Sequence, residues 1–208
     1  MKQAVERRLA DVAAFENPRA ALEQYATPAD IAAQLLHLAG MQGDLSRPVL
    51  DLGTGTGMLA LAAALYDAPR VVGVDRDAGP LRTARENERR VAPGRGVEWV
   101  RGDVASLPVA PPEAVTVVSN PPFGAQQRGA DRPFLAAAAE HAAVSYTIHN
   151  AGSEDFVEFF AGERGGEVTH AYRLAFPLPN QFDFHDAEAA QVDAELFRIR
   201  WPAARDGE

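Results

Sequence analysis

The stretch Val49–Gly57, VLDLGTGTG, sets glycines at every second position behind an apolar run and places a carboxylate, Asp51, just ahead of them. Gly53, Gly55 and Gly57 allow tight turns and close approach to a ligand, and the helix-like stretch that follows offers amide donors. The spacing is G-x-G-x-G, whereas the dinucleotide fingerprint is G-x-G-x-x-G, and Asp51 would repel a pyrophosphate. The loop therefore points to a ligand carrying a positive group. Asp75 closes the run VVGVD about 20 residues past the loop, where a carboxylate accepts from both ribose hydroxyls. Asp103, in RGDV, adds a third acid beyond the next apolar run. One nucleoside bearing an amine would satisfy all three, although Asp77 and Asp103 also suit the plainer roles of turn or helix-cap residues. A second stretch, SNPPFG at Ser119–Gly124, ends the β-branched run AVTVVS abruptly at Asn120, Pro121 and Pro122. The prolines make a rigid turn that holds out one amide and one ring, Phe123.

These residues need elements to position them. The runs Val49–Leu52, Val71–Asp75, Val97–Arg101, Val115–Ser119 and Ala143–His149 are suited to buried strands, and Val168–Phe176 and Ala194–Trp201 add two more. Between them, Met58–Tyr66, Ala78–Val91, Pro133–His141 and Ser153–Ala161 have helical spacing, and Pro108–Pro112 is a loop. Alternation of this kind predicts an α/β fold, a mostly parallel sheet with helices on both faces. The three acids and the Asn-Pro-Pro turn would then share the carboxyl edge of the sheet, where such folds bind ligands. Upstream, Val5–Phe15 and Pro28–Leu38 read as amphipathic helices around LEQYAT, Leu22–Thr27. No repeat or linker divides the chain, so a single domain over 1–208 is expected, with a helical cap at 1–46 and a frayed tail at 203–208.

Composition narrows the classes. A chain of 208 residues, 47% apolar, can bury one sizeable core. No apolar run approaches the ~20 residues of a membrane span, and the charged amino terminus lacks a signal-peptide core, so a cytoplasmic location is expected. Cysteine is absent and the five histidines have no metal-ligand spacing, which argues against a metal site. The net charge is −9, with Lys2 the only lysine. That bias suits either a halophile's cytoplasm or a GC-rich genome, and it gives no basic footprint for nucleic acid. Any claim of RNA binding must come from the site.

From Val49 to Gly124 the chain resembles the class I S-adenosylmethionine-dependent methyltransferases. The resemblance implies a Rossmann-like, seven-stranded sheet with the last strand antiparallel. It also implies that Asp51 and the glycine loop cradle the methionine part of the cofactor, Asp75 its ribose, and Asp103 its adenine amino group. Asn120-Pro121-Pro122-Phe123 resembles the signature of enzymes that methylate amines conjugated to a planar system. An adenine N6 lone pair is delocalised and weakly nucleophilic. If Asn120 and the Pro121 carbonyl accept its two N–H groups, the nitrogen is driven toward a pyramidal geometry, while Phe123 stacks on the base.

LEQYAT, NPPFG, the TIHN of Thr147–Asn150 and the ending LPNQFDFHDAEAAQVDAELFRIRW together resemble the methyltransferase-like protein 5 family, archaeal-type N6-adenine methyltransferases of small-subunit ribosomal RNA. This likeness spans almost the whole chain. It implies that Gln24, Tyr25 and Thr27 close over the cofactor and that a small zinc-binding activator assists, for which the edge strand carrying Trp99 offers a place. Core packing is the other reading of Trp99. Two departures stand out: Asp186 and Glu188 lie where relatives are lysine-rich, and the glycine loop has threonine where cysteine often stands. Competing readings are N5-glutamine methylation of a protein, whose enzymes usually carry tyrosine in place of Phe123 and a larger amino-terminal domain, and a non-catalytic ribosome-assembly factor.

Overall fold

Runs of four or five β-branched and apolar residues have too little length for a helix and enough stiffness for a buried strand. In the computed structural model, which describes residues 1–16, 18–19, 23–108, 111, 114–124, 127–177 and 191–202, they form one sheet. Its strands are β1 (Val49–Leu52), β2 (Val71–Asp75), β3 (Glu98–Arg101), β4 (Val115–Ser119), β5 (Ala142–Asn150), β6 (Glu167–Pro177) and β7 (Gln191–Arg200). The order across the seven strands is β3-β2-β1-β4-β5-β7-β6. Neighbours from β3 to β5 are parallel, and β7 runs antiparallel to both β5 and β6, as expected.

The helices are α1 (Lys2–Leu9), α2 (Ala29–Met41), α3 (Met58–Leu65), α4 (Ala78–Val91), α5 (Arg132–His141) and α6 (Glu154–Gly162). Strand alternation sends Val118, Tyr146 and Ile148 to a core shared with α1, α2 and α3. It sends Leu50, Leu52, Val74 and Val117 to the opposite core, which holds α5 and α6. Every residue of α3 is buried, because α2 and α1 cover the side that the sheet leaves open. None of the described helices is long and apolar enough to cross a membrane.

One expectation needs correction. The first helix stops at Leu9 rather than Phe15, and its continuation is drawn off by a side chain of α4, described below. Ser153 sits at the N-cap position of α6 but makes no side-chain cap bond; its N–H donates to Glu195 Oε2 at 3.1 Å instead. Leu22, residues 109, 110 and 112 of the proline-rich loop, the 178–190 stretch with Asp186 and Glu188, and the tail 203–208 lie outside the described residues.

Register is what assembles the site. Leu52 pairs with Val74 on one side and Ser119 on the other, and Ser119 pairs with Thr147. The residues that follow these positions therefore emerge together along the carboxyl edge. At the amino end of the sheet, a short 3-10 turn, Asp44–Ser46, is locked by a buried polar network. Asp44 accepts from Tyr146 (2.6 Å) and from Arg198 Nε (2.9 Å), and Arg198 also reaches Thr169 Oγ1 at 2.8 Å. Removing one partner strands a buried charge, so Asp44→Ala should lose about 3–5 kcal/mol of stability in urea unfolding.

Candidate active site

Leaving β1, the chain turns through Gly53, Gly55 and Gly57 at φ of +68°, +55° and +94°, a region that L side chains rarely adopt. The turn also brings aromatic rings against bare backbone. A Cβ on Gly53 would lie 2.7 Å from the Phe134 ring, one on Gly55 2.8 Å from the Phe15 ring, and one on Gly57 2.7 Å from Trp99. Trp99 lies over Gly73 as well and donates its Nε1–H to Glu88 at 2.7 Å. Its ring belongs to the packing of the glycine loop, which supports the core reading.

Asp51 is buried beneath the loop. Its Oδ2 accepts from Thr54 Oγ1 (2.6 Å) and the Ala60 N–H (2.9 Å), while its Oδ1 is buried without a hydrogen-bond partner. Burial pushes its pKa from 3.8 up to about 7, the charge of Asp75 adds to the rise, and the two hydrogen bonds oppose it. Asp75, at the end of β2, accepts from the Gly55 N–H (2.9 Å) with Oδ2 and from the Asp77 N–H (2.8 Å) with Oδ1. A carboxylate has about four lone-pair sites, so two stay available toward a ligand. Burial raises the Asp75 pKa too.

Asn87 of α4, fully buried, explains the early end of α1. Its Oδ1 accepts from the Ala13 N–H (2.9 Å), and its Nδ2 donates to the Ala13 carbonyl and the Thr56 carbonyl, both at 3.0 Å. One side chain thus takes both backbone groups that another helical turn would use, and straps the segment carrying Phe15 across the glycine loop. Truncation leaves buried backbone groups unpaired. Asn87→Ala should therefore cost about 1–3 kcal/mol of stability and weaken cofactor binding about tenfold, measured by calorimetry.

Beyond β4, Asn120 Nδ2 donates to Thr27 Oγ1 at 3.0 Å, and Asn120 Oδ1 is buried without a hydrogen-bond partner. Tyr25 packs its ring 5.4 Å from that of Phe123. Burial and the Glu23 carboxylate raise the Tyr25 pKa. Pro121 is buried and Phe123 half-buried, so the ring is less exposed than the sequence suggests. Gln24 donates to Asp77 Oδ2 at 2.8 Å, where Arg19 also forms an ion pair. Asp77 stands at the N-cap position of α4 but makes no cap bond. Asp103 is exposed, and its Oδ1 accepts from the Ala105 N–H at 2.9 Å, so the turn role is real for that oxygen.

These groups surround one cleft. A cavity of about 280 Å³ is lined by Gln24, Tyr25, Asp75, Asp103, Asn120 and Pro122, among others. A smaller pocket of about 30 Å³, lined by Thr27, Asp51 and Asn120, shares Phe15, Tyr25, Gly53 and Gly55 with it. All the sequence-derived candidates line one of these two pockets except Gly57, Pro121 and Phe123. Phe15, Phe134 and Asn87 were not among the candidates, since nothing in their local sequence marks them.

The profile of the methyltransferase small domain matches residues 26–145. A Drosophila melanogaster rRNA N(6)-adenosine-methyltransferase, Mettl5, is 31% identical over 94% of this chain and 94% of its own. The chain belongs to the methyltransferase-like protein 5 family. A Methanocaldococcus jannaschii member without an assigned function is 33% identical over 95% of this chain and 93% of its own. A crystal structure from Pyrococcus horikoshii, provisionally assigned as an RNA methyltransferase, superposes with a TM-score of 0.86 at 36% identity, covering 96% of this chain and 97% of that one. Membership makes S-adenosylmethionine the cofactor to be fitted. Asp51 and Asn120, each with an Oδ1 buried without a hydrogen-bond partner, line the cleft, and the Asp75 and Asp103 carboxylates line it too, so the donor-rich, cationic cofactor fits.

Proposed function

We propose that this chain is a single-domain enzyme that methylates the N6 amine of an adenosine in small-subunit ribosomal RNA. The observation that carries the reading is Asn120 Oδ1, a buried acceptor without a partner in the cavity wall, fixed in direction by its own amide bonded to Thr27. An unpaired buried acceptor costs about 1–3 kcal/mol, which an incoming amine N–H would recover. The named activity of the Drosophila relative supports adenosine as the source of that amine.

In this reading the chain's groups divide the work. Asp51 would hold the cofactor's methionine amine, the loop of Gly53, Gly55 and Gly57 its carboxylate end, Asp75 its ribose, and Asp103 its adenine amine. Bound there, S-adenosylmethionine supplies a sulfonium methyl. Gln24, Tyr25 and Thr27 close the cleft from the amino-terminal side. Asn120 and the Pro121 carbonyl accept the two N–H groups of the target amine and direct its lone pair, Pro122 stiffens the turn, and Phe123 stacks on the base. Transfer leaves the amine cationic and strongly acidic, so it gives its proton to water and no general base is required. β3, one of the two outer strands of the sheet, offers its edge for strand addition by a small activator protein.

Asp51 makes cofactor binding pH-dependent. Without ligand the folded acid keeps its proton up to about pH 7, whereas the unfolded chain releases it near 3.8. The folded state therefore binds more protons in that window, and this group's contribution to stability falls as pH rises through it. A cationic amine needs the carboxylate, so affinity should drop about tenfold per unit below pH 7 and level off above it until the amine itself deprotonates near pH 8. Calorimetric Kd values between about pH 5.5 and pH 8 check this; a flat profile would remove Asp51 from the amine.

The direct test is a purified protein given labelled cofactor and either small-subunit RNA or a release-factor substrate. Label recovered as N6-methyladenosine is the expected result. Label recovered on glutamine, or on nothing, would overturn the assignment.

A further inference from the structure

The carboxyl end of β5 holds polar side chains that the transfer chemistry leaves unused. His149 is buried, with its Nδ1 3.2 Å from Asp131 Oδ2 and its Nε2 2.9 Å from Thr147 Oγ1. A carboxylate can only accept, so Nδ1 donates. Thr147 Oγ1 in turn accepts from Ser119 Oγ at 3.1 Å. Asn150 donates its Nδ2–H to the Phe123 carbonyl at 3.1 Å. These contacts fall at three places on one segment: Ser119 directly before Asn120, Phe123 within the turn, and Asp131 where the connection reaches α5. The connection between them, through Gln127, Gly129 and Ala130, lines the cleft. Burial alone would raise the Asp131 pKa, but the hydrogen bond and charge of His149, the backbone N–H of Asp131 and the nearby Arg132 together lower it, so the carboxylate is held ionised as the anchor.

We propose that His149 and Asn150 are positioning residues for the transfer: the end of β5 clamps the Asn120–Asp131 segment at its entrance, middle and exit, and so sets Asn120 Oδ1 and the Phe123 ring against the target base. The inference rests on the adenosine reading above. The reason for a buried histidine at this point of the strand is geometric. Its two nitrogens reach a strand neighbour and a loop carboxylate at once, and an apolar residue could do neither. A turn displaced by about 1 Å loses up to about a hundredfold in rate, so a clamp of this kind acts first on kcat.

The test compares wild type, His149→Ala, His149→Asn, Asn150→Ala and Asn120→Ala in methyl transfer to small-subunit RNA, with cofactor Kd measured calorimetrically and amide hydrogen exchange followed over 120–131. Expected for His149→Ala and Asn150→Ala is a fall in kcat of about 10- to 100-fold, a cofactor Kd that changes far less than kcat, and faster exchange confined to 120–131. His149→Asn keeps a donor toward Asp131 and should restore most of the rate. An Asp131→Ala, His149→Ala double variant should be no slower than the worse single one. Wild-type kcat in the alanine variants, or a loss shared equally by kcat, cofactor binding and global stability with no rescue by asparagine, would overturn the clamp while leaving the adenosine reading intact. A wild type that makes no N6-methyladenosine would overturn the adenosine reading, and the clamp with it.

Discussion

An Asn120→Ala protein is expected to bind the cofactor about as tightly as wild type and to transfer methyl groups about 10²- to 10³-fold more slowly. The magnitude is that of removing one preorganised hydrogen-bonding group from a water-poor site. The selectivity follows from the geometry. Asn120 Oδ1 is the buried atom without a partner, and its Nδ2 is already bonded to Thr27, so the amide is oriented before any substrate arrives. Asn120→Asp keeps an acceptor at the same place and should retain more activity than the alanine variant. Phe123→Ala should act differently, raising KM for RNA about tenfold or more, because a stacked base contributes roughly 1–3 kcal/mol. A cofactor Kd weakened along with the rate would place Asn120 in cofactor binding instead.

The second large effect is at Asp51, and there stability and function should move in opposite directions. Asp51→Asn can keep its oxygen toward Thr54 and the Ala60 N–H while removing a carboxylate whose pKa burial raises to about 7. At pH 8 the ligand-free variant should gain about 1–3 kcal/mol, the cost of the buried charge less that of an unpaired amide N–H. Cofactor affinity should fall by more than about 30-fold, since one partner of a buried charge pair is gone. Thermal unfolding with and without cofactor measures both. A variant less stable than wild type at pH 8, or one that still binds, would show that the Asp51 carboxylate is already compensated in the free protein.

The sheet and its functional edge could be read from local chemistry alone. A β-branched run that stops at glycine, aspartate or Asn-Pro-Pro states both where a strand ends and what it presents there, and register then gathers Asp51, Asp75 and Asn120. What local sequence could not show depends on residues far apart along the chain. α1 looks able to continue to Phe15, and only Asn87, 74 positions later, draws Ala13 out of the helix. Phe15 and Phe134 look like ordinary core rings until their contacts with Gly55 and Gly53 are seen. His149 gives no hint of Asp131, which belongs to a loop with no pattern of its own. Asp103 shows the reverse: the acid sits where expected, yet one of its oxygens is already spent on a turn.

The most direct test of the account is nucleoside mass spectrometry of small-subunit RNA from cells with and without this protein, mapped to the affected fragment. The account predicts the loss of one N6-methyladenosine, restored by the wild-type chain and not by Asn120→Ala. An unchanged profile in cells lacking the protein would contradict it.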